Sequence, residues 1–307
     1  MREIHTAVVT GPTGAIGHAL CQRLLDEGIE VFAVVRPGSP RADALGERTG
    51  LILVPCDMSR LAELPDLLPG ADAFFHLAWG STTGAGRNDM SAQMRNIQYT
   101  LEAVQAAKAL GCTVFIGAGS QAEYGRVDGP LRPETPCFPE NGYGMAKLCA
   151  GQMSRLECER LGLDHVWPRI LSVYGPHDGE NAMIPAVIRQ LLAGERPALT
   201  AGEQVWDYLY ADDAAEALVC MALRGKNGAV YPLGSGKARP LREYVEQLRD
   251  AIDPALPLGF GEVPCGEKQV MYLEADLSAL EADTGFSPGT DFRVGIGRTV
   301  EWMRLLR

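Results

Sequence analysis

Tyr143 and Lys147 are the residues whose types and spacing point most directly to chemistry. Four positions apart on a helix, they share one face, one turn apart. A free phenol ionises near pH 10, too high for a good base at neutral pH. A neighbouring ammonium favours the phenolate and draws that value down. Such a phenol takes a proton from an alcohol as hydride leaves the same carbon, and returns it in the reverse direction. Tyr143 is therefore expected to act as acid or base on a hydroxyl/ketone pair, with Lys147 as its electrostatic helper. Ser120 can bond the reacting oxygen and orient it; the other reading is a turn or capping serine. Asn96 is poor material inside a helix. It reads as bonding backbone or water behind Lys147, or as facing solvent.

Hydride chemistry needs a carrier, and the chain offers a place for one. Thr10-Gly11-Pro12-Thr13-Gly14-Ala15-Ile16-Gly17 closes a short apolar run and opens a helical one. Gly11 permits the tight turn, Gly14 lets a pyrophosphate approach the backbone, and Gly17 lets the helix pack closely. The anion then rests on N–H groups at the helix start. After the second strand, where an acidic residue would hold a ribose 2′-hydroxyl, stands Arg36, with Arg41 beyond it. A guanidinium there pairs with a 2′-phosphate. NADP(H) is favoured over NAD on this ground; the other reading is a solvated surface arginine beside plain NAD. Asp57 is placed to meet the adenine edge or to cap the following turn.

These groups must be positioned by alternating strands and helices. HTAVVTG, VFAVVR, LILVPCD, ADAFFHLAW, CTVFIGAGS and DHVWPRILSVYG read as six strands. IGHALCQRLLDEG, MRNIQYTLEAVQAAKALG and YGMAKLCAGQMSRLECERLG read as helices, the first two ending at Gly28 and Gly111. Strands this apolar, separated by helices, imply a parallel sheet covered on both faces. Right-handed crossovers make it a doubly wound Rossmann-type α/β layer. It is assigned to residues 1–170, with about 204–233 returning to it as strand then helix. The rest of 171–307 is read as a smaller, interleaved mixed α/β substrate lobe.

Composition narrows the field. The 307 residues are 46 % apolar, enough for a large core, and the net charge of −11 speaks against a nucleic-acid stripe or a membrane-surface role. The eight cysteines form no C-x-x-C pair and have no histidine at metal-ligand spacing, so reduced, mostly buried thiols and no metal are expected. MREIHTAVVTG runs straight into a strand, with no signal peptide and no apolar run of about 18 residues. The expected compartment is the cytoplasm.

Taken together, the chain resembles the extended short-chain dehydrogenase/reductases, specifically the NAD-dependent epimerase/dehydratase group that acts on nucleotide sugars. The resemblance rests on TGPTGAIG, Asp57, His76-Leu77-Ala78, Asn96, Ser120 with Tyr124-Gly125, Tyr143 with Lys147, Pro168-Arg169, Val173-Tyr174-Gly175-Pro176, the segment from Asp207 to Asp213, and the terminal TVEWMR. It implies that Ser120, Tyr143 and Lys147 form the catalytic triad. Gly11, Thr13, Gly14, Ala15, Ile16, Gly17, Arg36, Asp57, Met58, Leu77, Ala78 and Asn96 then line the cofactor together with Tyr143 and Lys147. Trp79, Ser81, Gln121, Ser172, Asn181, Gln204 and Trp206 are the candidates for facing the substrate. A homodimer through the two long helices is implied as well.

The departures from that pattern select among reactions. The 4,6-dehydratases of the group carry Asp-Glu directly after the active hydroxyl residue; here stand Gln121 and Ala122, and Glu123 is one position late. Trp206 replaces a phosphate-gripping arginine, Met271 or its uncharged neighbours replace another near EKQVMYLEAD, and Ser172 replaces an asparagine. Trp206 can stack on a base or sugar or be a half-buried strand residue. The leading reading is an NADP(H)-dependent reductase of a keto group, at C4 of a nucleotide-linked sugar. A 4-epimerase with retained NAD, a reductase of a small non-sugar carbonyl and a non-catalytic dinucleotide sensor are the alternatives.

Overall fold

The computed structural model describes residues 1–266 and 269–306. Its centre is a wholly parallel sheet built from β1 (Thr6–Thr10), β2 (Glu30–Val35), β3 (Leu51–Pro55), β4 (Ala73–His76), β5 (Val114–Gly117), β6 (Gly119–Ser120), β7 (Asp164–Ile170) and a last strand, Ala229–Leu233. The order across the sheet is Ala229–Leu233, β7, β5, β4, β1, β2, β3, with β6 continuing beside β7. Chain direction therefore reverses its march between β1 and β4, where Thr10 pairs with His76. In doubly wound sheets ligands gather at the carboxyl ends of strands at this switch.

Caps in the sequence set the helices. Helix α1 (Ala15–Asp26) starts directly from the glycine turn and is followed by Gly28 at φ +75°. After the short α2 (Leu64–Leu67) comes α3 (Met90–Ala109), which begins before the expected MRNIQ segment because the Asp89 carboxylate accepts the Ala92 N–H at 3.0 Å. Helix α4 (Gly142–Leu161) is capped by Asn141, whose side chain accepts the Gly144 N–H at 2.9 Å, and ends at left-handed Gly162. One buried cluster joins α1 to one face of the sheet; another, including Phe32, Phe74, Phe115 and Ala103, joins α3 to the opposite face. The edge strand β3 is the exception to two-sided cover: Ile52 and Leu53 are 42 % exposed. Apolar sequence here marks an aliphatic edge strand, not a buried centre.

Beyond β7 the expected single strand DHVWPRILSVYG divides. Leu171 still donates its N–H to Leu233, but β8 (Ser172–Tyr174) leaves the main sheet and pairs in parallel with Tyr208–Tyr210. The elements that follow are α5 (Met183–Leu192), β9 (Ala198–Leu199), β10 (Val205–Trp206), β11 (Tyr208–Tyr210), α6 (Ala211–Arg224), β12 (Ala229–Leu233), β13 (Arg239–Pro240), α7 (Leu241–Asp250), β14 (Gly259–Phe260), α8 (Ser278–Thr284) and α9 (Phe292–Leu305). Within the 204–233 stretch it is α6, packed on α1, and β12 that join the main layer, whereas β10 pairs with β13 and β11 with β8. A separate core of Tyr174, Tyr210, Tyr244, Phe292, Ile296 and their neighbours binds α5, α7 and α9 together. No described helix is long and apolar enough to cross a membrane.

Candidate active site

The glycine turn is shaped by close approach. Gly11 has φ +72°, and a Cβ there would lie 2.9 Å from the Ala78 nitrogen; a Cβ on Gly17 would overlap the Gly11 carbonyl oxygen. Gly17 thus packs the helix against its own loop. At Gly14 the nearest atom to a Cβ is 3.9 Å away, so that face is open. No described side chain caps the first turn of α1, leaving its N–H groups to meet an anion.

A groove of about 420 Å³ runs from this turn over the ends of β4 and β6 and onto α4. Gly11, Gly14, Ala15, Ile16, Gly17, Leu77, Trp79, Ser120, Tyr143 and Lys147 line it, together with Thr82, Ala118, Gly119, Ile170, Leu171, Val173 and Asp178. The three residues expected to act together therefore face one space. Thr13, Arg36, Asp57, Met58, Ala78, Asn96, Ser81, Gln121, Ser172, Asn181, Gln204 and Trp206 are not among its lining residues.

The electrostatics differ from the expected picture. Tyr143 is pushed above the ordinary phenol value by burial, against which the Ser120 hydroxyl hydrogen bond and Arg87 favour the phenolate; Glu123 works the other way. Lys147 is drawn down to about 7 by burial, opposed by the Glu123 carboxylate. Its Nζ donates to the Ala118 carbonyl at 2.6 Å and lies 3.7 Å from the centre of the Trp79 ring but 5.8 Å from that of Tyr143. The expected drop in the Tyr143 value, driven by Lys147, is thus not found in the chain by itself: desolvation of the phenol outweighs it, and the nearer cation is Arg87, 4.4 Å from the ring centre.

Asn96 is buried and bonds backbone, not solvent. Its side chain accepts the Gly80 N–H and donates to the Gly80 carbonyl, both at 3.0 Å. One turn earlier, Gln93 accepts the Trp79 indole N–H at 2.9 Å and donates to the carbonyls of Ser81 and Gly86, both at 3.0 Å. Two buried amides on α3 therefore hold the 79–86 loop, including Ser81 at φ +58°. Gln93 carries a signal that was available in sequence: a second amide three residues before Asn96 on the same face. His76 lies beneath. Thr10 Oγ1 accepts the Ala78 N–H and sits 3.0 Å from His76 Nδ1, while His76 Nε2 is a buried atom with no partner among the described residues. Burial holds this imidazole down at about 3.

The remaining expected site residues separate by place. Asp57 caps the following turn, accepting the Ser59 N–H at 3.0 Å and the Ser59 hydroxyl at 2.8 Å, both on Oδ1; these bonds, with Arg36 nearby, hold it below the usual carboxylate value. Arg36 is exposed at the end of β2, and Met58 approaches Gly80. Trp206 is half-buried and donates its indole N–H to Ser172 Oγ at 2.8 Å, so these two residues meet in the second lobe. Gln204 is buried and bonded to Thr200, whereas Asn181 is exposed in the turn before α5. Gln121 is half-buried in the turn after Ser120. Glu123 points inward: its carboxylate accepts from Ser120 N at 2.8 Å, Trp167 Nε1 at 3.1 Å and Arg169 Nε at 2.7 Å. Residues 267 and 268, which open the EKQVMYLEAD stretch, lie outside the described residues.

A doubly wound parallel sheet, a glycine turn at its switch point and a Ser/Tyr/Lys set facing the same groove define a dinucleotide-dependent oxidoreductase of the extended short-chain dehydrogenase/reductase type. The comparison with known families agrees: residues 7–234 match the model of the NAD dependent epimerase/dehydratase family, and the chain belongs to that family. A dTDP-glucose 4,6-dehydratase of Streptomyces griseus is 26 % identical over 96 % of this chain and 93 % of its own length. Among solved structures, a UDP-N-acetylglucosamine 4-epimerase from Methanobrevibacter ruminantium M1 in complex with UDP-N-acetylmuramic acid superposes with a TM-score of 0.90 at 26 % identity, covering 100 % of both chains. MoeE5 in complex with UDP-glucuronic acid and NAD superposes with a TM-score of 0.86 at 27 % identity, covering 98 % of this chain and 100 % of that one.

Proposed function

We propose that this chain reduces a keto group, at C4 of a nucleotide-linked sugar, with Tyr143 as the proton donor. The observation that carries the reading is the convergence of Tyr143, Ser120 and Lys147 on the groove that begins at the Gly11–Gly17 turn. The residues fit a dinucleotide: the glycine turn has an open face at Gly14 and a bare helix start behind it. When bound, the dinucleotide supplies the hydride. Tyr143 gives its hydroxyl proton to the sugar oxygen, Ser120 orients that oxygen, and Lys147 offers its remaining N–H groups to the cofactor. Relatives named for dTDP- and UDP-sugars support the substrate class. Arg36, exposed at the end of β2, supports NADP(H) by its suitability for a 2′-phosphate.

Dehydration is disfavoured. Gln121 and Ala122 supply neither acid nor base, and Glu123 is committed to Arg169 and Trp167. The epimerase reading is the second one, favoured by the likeness over the full length of the Methanobrevibacter enzyme. We assign the substrate contacts to the Trp206–Ser172 lobe and the cofactor to the main sheet. The eight unpaired cysteines fit a reducing, cytoplasmic setting. Helices α3 and α4 lie side by side and expose Met94, Met145, Met153 and Leu156, the face through which two copies would pair; sedimentation of the purified chain tests this.

The functional test mixes the protein with NADPH and a nucleotide-linked 4-keto sugar. A reductase consumes the reduced nicotinamide in step with product. An epimerase given UDP-sugars inverts C4 with no net change in nicotinamide absorbance. Turnover that persists undiminished in Tyr143→Phe would remove the mechanism.

A further inference from the structure

We propose that Trp79 is a positioning residue for Lys147, the face of its indole holding the buried side chain in the charged ammonium form. Lys147 Nζ lies 3.7 Å from the centre of the Trp79 ring, in contact with its face, and Lys147 is 3 % exposed. A cation over an aromatic face is attracted to it, most strongly to tryptophan and where water is excluded. The same nitrogen donates to the Ala118 carbonyl at 2.6 Å. Both contacts are better for an ammonium than for a neutral amine. Burial works the other way and draws Lys147 down to about 7. Near neutral pH the two forms are therefore balanced, and each contact with the charge counts.

The indole is fixed from α3. Its N–H donates to Gln93 Oε1 at 2.9 Å, and Gln93, 2 % exposed, is anchored in turn by its bonds to the Ser81 and Gly86 carbonyls. A buried amide engaged at both ends leaves the ring little freedom to turn away from Nζ. Trp79 also meets the Tyr143 ring edge-on, centres 6.2 Å apart at 84°, so one side chain adjoins both members of the pair. Other charged and titratable groups surround Lys147. Glu123, from the turn after β6, favours its charge, and His76, at the end of β4, is kept neutral by burial. Tyr143 lies on the same helix, and Arg87 lies over the Tyr143 ring from the 84–88 turn, which is docked on α4 by the Gly142 N–H donating to Asn88 Oδ1 at 2.9 Å. Among the described residues Glu123 is the anion that favours the ammonium, and its carboxylate is shared with Ser120, Trp167 and Arg169. A second carboxylate beside Lys147 would oppose the Tyr143 phenolate, as Glu123 does. The indole face attracts the ammonium while carrying no net charge, so it supports the lysine without that penalty.

The inference rests on the reading that Lys147 supports Tyr143 in the proposed reaction, but the contact itself is tested without substrate. Protein labelled with carbon-13 at lysine Cε is titrated from about pH 5 to about pH 9.5 and followed by NMR, a window that brackets Lys147 and ends below the ordinary lysine value of about 10.4. Lys147→Met assigns the signal. Trp79→Leu, which keeps the place apolar but removes the ring face, is expected to lower the Lys147 midpoint by about one pH unit, a tenfold loss of ammonium above it. Trp79→Phe, which keeps a weaker face, is expected to lower it by less. Should Trp79→Leu not fold, Trp79→Met makes the same comparison. A midpoint that is unmoved, raised, or lowered equally by leucine and phenylalanine overturns the proposal. In turnover the same variants are expected to move the alkaline limb of kcat/KM to lower pH in the same order, which loss of packing alone does not do. A wild type that reduces no keto sugar, yet titrates with its variants as expected, supports this contact and removes only the proposed reaction.

Discussion

Arg169 donates its Nε–H to the Glu123 carboxylate at 2.7 Å, with side chains 5 % and 1 % exposed, directly beneath the turn that carries Ser120. The same carboxylate accepts the Ser120 N–H, completing a capping box in which Ser120 Oγ accepts the Ala122 N–H at 3.2 Å. The ion pair thus fixes the backbone that presents Ser120 to the groove. Arg169 Nη1 finds no hydrogen-bond partner among the described residues, and the guanidinium carbon lies 4.5 Å from the centre of the Tyr124 ring, so Glu123 is the carboxylate that pairs with this cation.

Removing that carboxylate leaves a buried guanidinium unpaired. Glu123→Ala is expected to cost about 3–5 kcal/mol of stability, read from urea unfolding. Glu123→Gln, which keeps an acceptor, is expected to cost less. Equal stability of Glu123→Ala and wild type would mean that water reaches Arg169.

The glycine turn separates packing from ligand approach. Gly17→Ala drives a methyl group into the Gly11 carbonyl and is expected to cost about 1–3 kcal/mol and to abolish dinucleotide binding. Gly14→Ala meets nothing closer than 3.9 Å; it should fold normally and weaken only the dinucleotide. Calorimetric titration alongside thermal unfolding distinguishes the two, and matching losses of stability would contradict this division.

Stability should fall on acidification through two buried histidines. His76 and His165 are both held at about 3 by burial, against 6.5 in an unfolded chain. Below pH 6.5 the unfolded chain therefore binds protons that the folded chain refuses. Their contribution is complete above pH 6.5 and is lost as pH falls towards 3, at about 1.4 kcal/mol per pH unit for each. Unfolding free energies measured between these limits should be less steep in His165→Asn. An unchanged slope would show that carboxylates, not this imidazole, set the acid limb.

Cofactor choice is tested at the end of β2. Arg36→Ala should weaken NADP(H) binding by about tenfold, the loss of one exposed phosphate pair, and leave NAD(H) unchanged. Equal effects on both dinucleotides would assign Arg36 to solvent.

The parallel sheet was legible because its strands are apolar runs separated by amphipathic helices, and Tyr143 and Lys147 because they are spaced by one helical turn. Local caps were only partly legible: Asp89 started α3 ahead of the apolar pattern. The division of the sixth strand at Leu171 was hidden, since pairing with Tyr208–Tyr210 is a choice made by distant residues. The same holds for the site. Arg87 lies far from Tyr143 in sequence, and only the docking of one loop on α4 brings them together. Glu123 read as a displaced acid; what made it a structural anion was the arrival of Trp167 and Arg169 from β7.

The loop after β2 is also tied across the molecule: Arg41 Nη2 donates to the His177 carbonyl at 2.6 Å, next to Asp178 on the wall of the groove. That bond uses one of the five N–H groups of the guanidinium. The loop after β2 is thereby tied to the segment leading into the second lobe, so that a change at His177 would be felt at the end of β2.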